Sequence, residues 1–190
     1  KTVDKLNTFD PEFYSVTFGA GGSTKEKTIE TVVDIMGTGA VAVPHVSCIS
    51  STKEEIKVLL NEYQSKNIKR IVALRGDNPS GVVSYGDFKY ANELVEFIRK
   101  ETGNFFQIEV AAYPEFHPES LSVKNDIDSL QRKINAGANG AITQFFFNVD
   151  AYFKFVEDCQ KKSINVPIVP GVMPIYLSLI HISEPTRPYW

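Results

Sequence analysis

The feature that most limits how this chain can fold is its alternation. Short β-branched, apolar runs are separated, each time, by stretches with the i, i+3, i+4, i+7 spacing of an amphipathic helix. Strands are expected at Phe13–Ala20, Ala40–Ser47, Ile68–Gly76, Phe106–Pro114, Gly140–Phe147 and Val166–Met173, apolar throughout. The first helix shows Ile29, Val32, Val33 and Met36 as its inward stripe, the second Ile56, Leu59, Leu60 and Tyr63. The third shows Tyr90, Leu94, Phe97 and Ile98, and the fourth, Val123–Ala136, shows Val123, Ile127, Leu130 and Ile134. The fifth, from Asp150 to about Gln160, carries Tyr152, Phe155, Val156 and Cys159. Ser23 with Glu26 and Thr52 with Glu55 have the spacing of capping boxes.

A crossover helix between every pair of strands demands parallel pairing. A doubly wound nucleotide-binding sheet should carry G-x-G-x-x-G after its first strand, and this chain has none. A (β/α)8 TIM barrel instead gathers its chemistry at the C-terminal ends of several strands. Five strands here end in polar groups, which selects the barrel. Six strands do not close one, so the expectation is an incomplete barrel holding strands 2 to 7, the first and last missing.

Those strand ends supply Thr17, His45, Arg75, Asp77, Tyr113, Glu115, His117 and Gln144. Arg75 offers a planar fork of donors suited to phosphate or carboxylate, and Gly76 permits close backbone approach. Taken alone, Arg75–Asp77 reads as a local ion pair, and His45 or His117 as a hydrogen-bonded structural histidine. Repetition at one end of the sheet shifts the balance toward a site. A metal held by His45, Asp77 and His117 is the less favoured reading, since the H-x-H pair common in barrel metal sites is absent. On the fourth helix Asp126, Ser129 and Lys133 form a polar stripe bordering the apolar one, with Arg132 beyond it; periodicity alone favours a solvated face. The amide of Gln144, on a strand of Ala, Ile and Phe, needs a partner in the protein or a substrate.

Composition excludes several classes. With 43% hydrophobic and 23% charged residues the chain is that of a globular protein, and a net charge of -3 gives no case for nucleic acid. No apolar run is long enough to span a bilayer. Two cysteines far apart, Cys48 and Cys159, point to a reducing, cytoplasmic setting rather than a disulfide framework. Cys48 follows His45 by three residues, which on a strand places them on opposite faces. The start, KTVDKLNTFD, reads as the tail of a helix already under way.

SVTFGAGGST at Ser15–Thr24, PHVSC at Pro44–Cys48, ALRGD at Ala73–Asp77, AAYPEFHPE at Ala111–Glu119, NAGAN at Asn135–Asn139 and ITQFFF at Ile142–Phe147 together resemble the methylenetetrahydrofolate reductase family. The resemblance runs in order from Lys1 to about Ile175. It implies a flavin-dependent barrel that reduces 5,10-methylenetetrahydrofolate to 5-methyltetrahydrofolate, with NAD(P)H as hydride donor and FAD bound, feeding methionine synthesis in a homo-oligomeric parent. Carried over by position, Phe18, Ala20, His45, Arg75, Gly76, Asp77, Ala91, Tyr113 and His117 would line the FAD. Ser120, Asp126, Ser129, Arg132 and Lys133 would join them, of which Asp126, Arg132 and Lys133 would hold its diphosphate and ribose end. Thr17 and Gln144 would contact nicotinamide or folate. Asp77 would serve catalysis beside the flavin pyrimidine edge and the pterin, favouring a cationic folate.

Three positions depart from the family pattern: Phe18 stands where tyrosine is common, and Ser120 and Ser129 where alanine and asparagine are. The family's proton-donating glutamate would precede Lys1. Residues 1–175 are therefore expected to form a partial FAD-binding barrel. Residues 176–190, YLSLIHISEPTRPYW, fit neither the family nor the helix–strand plan and are expected to be foreign. The alternatives are a flavin- or folate-binding segment without turnover, or a metal-dependent TIM-barrel hydrolase or aldolase.

Overall fold

The computed structural model describes residues 2–18, 25–76, 86–115 and 123–173, with the backbone alone at 25, 26 and 123. Helix α1 (Thr2–Leu6) and a 3-10 turn (Asn7–Phe9) lead into β1 (Tyr14–Val16). Then follow α2 (Lys25–Gly37), β2 (Ala42–Ser47), α3 (Lys53–Ser65), β3 (Arg70–Leu74), α4 (Ala91–Thr102) and β4 (Gln107–Ala112). The last elements are α5 (Val123–Asn135), β5 (Gly140–Thr143), α6 (Val149–Lys161) and β6 (Ile168–Val169). All pairings are parallel and the strand order is β1 to β6 without a reversal. Sequential parallel order with a helix between each pair of successive strands makes these six consecutive strands of a (β/α)8 barrel.

Alternation along the strands divides two faces. Val46, Cys48, Ile71, Ala73, Ile108, Val110 and Ala141 pack outward against Val32, Leu60, Tyr63, Leu94, Ile98, Leu130 and Phe155 of the helices. The other face carries Ser15, His45, Arg70, Val72 and Glu109. Here the expectation of apolar strands fails. Glu109 is 2% exposed; Arg70 donates to its Oε1 through Nε at 3.0 Å and Nη2 at 2.9 Å, and Gln107 Nε2 adds a third bond at 3.1 Å. Arg70 also pairs with Glu12 at 2.5 Å and stacks over the Phe13 ring at 4.2 Å. An ion pair thus fills the inner face toward the N-terminal ends of the strands.

Two helix faces are rotated from expectation. Val33 is exposed, and Ile35 with Thr28 is buried instead. Tyr90 is half exposed because it stands at the N-cap of α4 rather than inside it, and Val95 takes the inward place. Three strands end earlier than their apolar runs do, because the chain turns away at the rim: β1 stops at Val16, β5 at Thr143 and β6 at Val169. The Ser23–Glu26 box lies outside the described residues. The Thr52–Glu55 box is present: Glu55 N donates to Thr52 Oγ1 at 3.2 Å and Thr52 N to Glu55 Oε2 at 2.8 Å. Thr52→Ala is expected to lower unfolding stability by about 1 kcal/mol with an unchanged urea m-value, measured by equilibrium denaturation.

The NAGAN segment is structural. Arg99 donates to Gly137 O from Nε (2.9 Å) and Nη2 (2.7 Å), and from Nη1 to Gly103 O and Phe106 O. Its Nη2 also reaches Asn139 Oδ1 at 2.6 Å, and that oxygen accepts from Ile108 N at 2.8 Å. Gly137 has φ +114, and a Cβ there would press on the Arg99 side chain. This junction locks the α5–β5 turn at the end of the sheet opposite the polar strand tips.

Candidate active site

Four predicted residues are each the first after a strand: Thr17 after β1, Arg75 after β3, Tyr113 after β4 and Gln144 after β5. Register sets Tyr113 level with Gln144, since Ala112 pairs with Thr143, and places Arg75 one step short of them, since Ala73 pairs with Val110; Thr17 lies lower, level with His45, since Val16 pairs with Pro44. Gln144 N still donates to Ala112 O at 2.8 Å, one step past the ladder. Arg75, Tyr113 and Gln144 therefore share one rim at the C-terminal ends of three adjacent strands. Arg75 and Tyr113 are half-buried and Gln144 is exposed.

Local chemistry shapes that rim. Beyond Leu74 the Arg75 carbonyl leaves the ladder and accepts from Ile49 N at 2.8 Å and Ser47 Oγ at 2.9 Å. Gly76 then takes φ +85, and a Cβ there would overlap the Ser47 hydroxyl. Glycine is needed at this strand end for both reasons. Gln144 turns its amide oxygen onto Phe145 N at 2.9 Å, so part of its hydrogen-bonding need is met locally.

His45 points to the inner face, where Ser15 Oγ lies 2.7 Å from its Nε2. Burial lowers the imidazole pKa below its usual value, favouring the neutral ring. Cys48 sits on the opposite, helix-facing side, fully buried, and burial pushes its thiol up to about 11. A thiol so protonated is no nucleophile at neutral pH.

Lys133 departs from the solvated stripe that periodicity favoured. It is 8% exposed, and its Nζ donates to Ala111 O at 2.6 Å. Burial pushes its pKa down to about 8, with Asp126 opposing and Arg132 adding to the shift. A cation is thus held beneath the tip of β4, two residues short of Tyr113. Asp126 and Ser129 are half-buried on the same helix and Arg132 is exposed. Ala91 is half-buried as the first residue of α4. Phe18 packs against the hydrophobic core. Ala20, Asp77, His117 and Ser120 lie outside the described residues.

Sequence reasoning missed two hydroxyls, Ser15 and Ser47, that brace His45 and Arg75. Strand parity would have found them, since each shares an inner face with a named candidate. Among the described residues no group of three His, Cys, Asp or Glu side chains could hold a metal. A cleft of about 750 Å³ opens at the opposite end beside Lys69, Arg70 and Arg99. Its cations are engaged: Arg70 by carboxylates, Arg99 by carbonyls, and Lys69 over the Phe105 ring at 3.6 Å.

A parallel, sequentially wound sheet with polar groups collected at its C-terminal rim defines an enzyme-type (β/α)8 barrel. Solved structures agree on the fold. A phosphonopyruvate hydrolase aligns with a TM-score of 0.68 at 11% identity, over 89% of this chain and 62% of its own. The 2,3-dimethylmalate lyase aligns at 0.53 and 6% identity, over 90% of this chain and 74% of its own. Sequence narrows the class. The methylenetetrahydrofolate reductase profile matches residues 1–183, and the chain belongs to that family. The 5,10-methylenetetrahydrofolate reductase of Buchnera aphidicola (from Acyrthosiphon pisum) is 45% identical over 175 residues, 92% of this chain and 59% of that protein. The Escherichia coli K12 enzyme of the same name is 43% identical over 92% of this chain and 58% of its own length. The Arabidopsis thaliana methylenetetrahydrofolate reductase (NADH) 1 is 38% identical over 91% of this chain and 32% of its own. The chain thus spans under three-fifths of these relatives.

Proposed function

We propose that this chain carries the flavin-binding rim of an oxidoreductase that reduces 5,10-methylenetetrahydrofolate to 5-methyltetrahydrofolate, with NAD(P)H as donor. The observation that supports it most is the shared rim of Arg75, Tyr113 and Gln144 in a chain of this family. The residues suit FAD. A buried ammonium whose hydrogen-bond partner is a peptide carbonyl, as at Lys133, is better matched by an anionic diphosphate. Arg75, Tyr113 and the neutral His45, with Phe18, Ala20, Gly76, Ala91 and His117, would line the cofactor. Ser120 and Ser129 would also border it, and Asp126 and Arg132 would join Lys133 at its diphosphate and ribose end. Bound FAD would supply two-electron chemistry, taking hydride from nicotinamide and giving it to the folate.

Within that reading the protein's own groups orient and bias. Thr17 would sit near the nicotinamide, Gln144 would contact folate and nicotinamide in turn, and the Asp77 carboxylate would favour positive charge on the folate. The same proposal has the parent protein a homo-oligomer in the cytoplasm; the two buried free thiols support the reducing compartment alone. The test is the purified protein's spectrum and a titration with FAD. A yellow protein binding one FAD per chain, bleached by NAD(P)H, is expected. A colourless protein with stoichiometric zinc that takes up no FAD would sink the proposal.

A further inference from the structure

Glu115 follows β4 by three residues and was one polar strand tip among many in the sequence. In the structure its Oε1 accepts from two consecutive backbone amides of the neighbouring connection, Phe147 N at 3.0 Å and Asn148 N at 2.8 Å. Asn148 in turn caps α6, its Oδ1 accepting from Asp150 N at 3.0 Å and Ala151 N at 3.3 Å. At its other end this connection begins with Gln144, whose N is bound to Ala112 O. The span from Gln144 to Asn148 is therefore tied at both ends to β4 and the residues that follow it.

The geometry points to Glu115 as a positioning residue for Gln144, fixing where that amide stands on the rim; this rests on the reading of Gln144 as a substrate contact. Two features favour positioning over simple stability. Phe145 and Phe147 are 48% and 68% exposed, so apolar burial is not what sets the path of this loop. Only Phe146 turns inward, stacking on Tyr152 at 4.9 Å with planes 7° apart. Glu115 is itself exposed. Hydrogen bonds made in contact with water add little to global stability, but a charged acceptor shared by two amides defines their direction. A rim contact misplaced by an ångström loses affinity without unfolding anything.

The test compares wild type, Glu115→Ala and Glu115→Gln, all as the full chain, in two measurements. Amide hydrogen exchange at Phe147 and Asn148 is expected to quicken about tenfold in Glu115→Ala, with core amides unchanged. The dissociation constant for 5-methyltetrahydrofolate on the FAD-loaded protein is expected to rise about tenfold, with FAD affinity within twofold. Glu115→Gln keeps an acceptor oxygen in place and should recover most of both. Unchanged exchange at the two amides would overturn the clamp. Quickened exchange with unaltered folate affinity would overturn its role toward Gln144 while leaving the flavin reading intact. If wild type binds neither FAD nor the folate, the reading of the site fails first and the positioning role falls with it.

Discussion

Exchanging Glu109 for alanine is expected to destabilise the fold by about 3–5 kcal/mol, read from urea unfolding at neutral pH. The carboxylate is 3% exposed at its side chain and the Arg70 guanidinium 14%. Removing the acid leaves the largely buried Arg70 cation without its buried partner, beside the Val72 and Gly140 positions that flank residue 109 in the sheet, whereas the exposed Gln107 amide turns to water. Glu12 still reaches Arg70, but at 78% side-chain exposure it works in water and offsets under about 1 kcal/mol. The neighbouring strand is built around this acid: a Cβ on Gly140 would overlap the Glu109 carboxylate. The companion double variant Arg70→Met with Glu109→Met should recover most of the loss, because an apolar pair leaves no charge stranded. A loss under about 1 kcal/mol for Glu109→Ala, or a double variant no better than the single, would show that the pair is not what fills the barrel floor.

That ion pair also marks where the sequence stops being readable. Alternating strands and helices made the parallel order legible, because each apolar run needs a crossover helix and each helix stripe must meet a sheet. The stripe Ile56, Leu59, Leu60 and Tyr63 is buried as its spacing requires. Arg70, which follows Lys69, and Glu109 both stand inside stretches read as apolar strands, and neither announces its partner. They meet across adjacent strands only once the register Val72 to Glu109 is known. Val33 was misplaced because two adjacent valines both fit a broad stripe, and Ile35 carried the deciding contact.

The rim was legible for a different reason. A polar residue immediately after a buried strand has one place to go, the end of the sheet, so Thr17, Arg75, Tyr113 and Gln144 could be named from position alone. Which side chains brace them could not. Ser47 binds the Arg75 carbonyl through a turn specific to β2 and β3, and Glu115 reaches two amides whose spacing depends on the turn after β5. Lys133 was hidden by periodicity, which places it beside the apolar stripe and says nothing about how far its stem reaches. A long aliphatic side chain can lie within a layer and deliver its amine at the far end.

Lys133→Met should separate what the amine does for the fold from what it does for a ligand. In the folded chain burial pushes its pKa down to about 8, against 10.5 for an exposed lysine. Between those pH values the unfolded chain holds a proton that the folded chain has released, so unfolding takes up protons and stability rises with pH. Below about pH 8 the folded state carries the full cost, about 3 kcal/mol relative to an exposed lysine. Methionine fills similar volume without charge, though it leaves the Ala111 carbonyl without this donor at a cost of about 1–2 kcal/mol. At pH 7 the variant is therefore expected to match or exceed wild type in urea. Wild type should gain on it by about 2 kcal/mol from pH 8 to 10. Binding should run the other way. Loss of a charge-assisted contact to a diphosphate weakens FAD affinity about 10- to 100-fold. In wild type that affinity should fall as pH rises above 8, because the neutral amine must first regain its proton, whereas in Lys133→Met this pH dependence disappears. A residue that costs the empty fold stability and repays it only on ligand binding is what a site retains for function. Equal FAD affinity in the two proteins, or a stability difference that stays flat from pH 7 to 10, would remove Lys133 from the site.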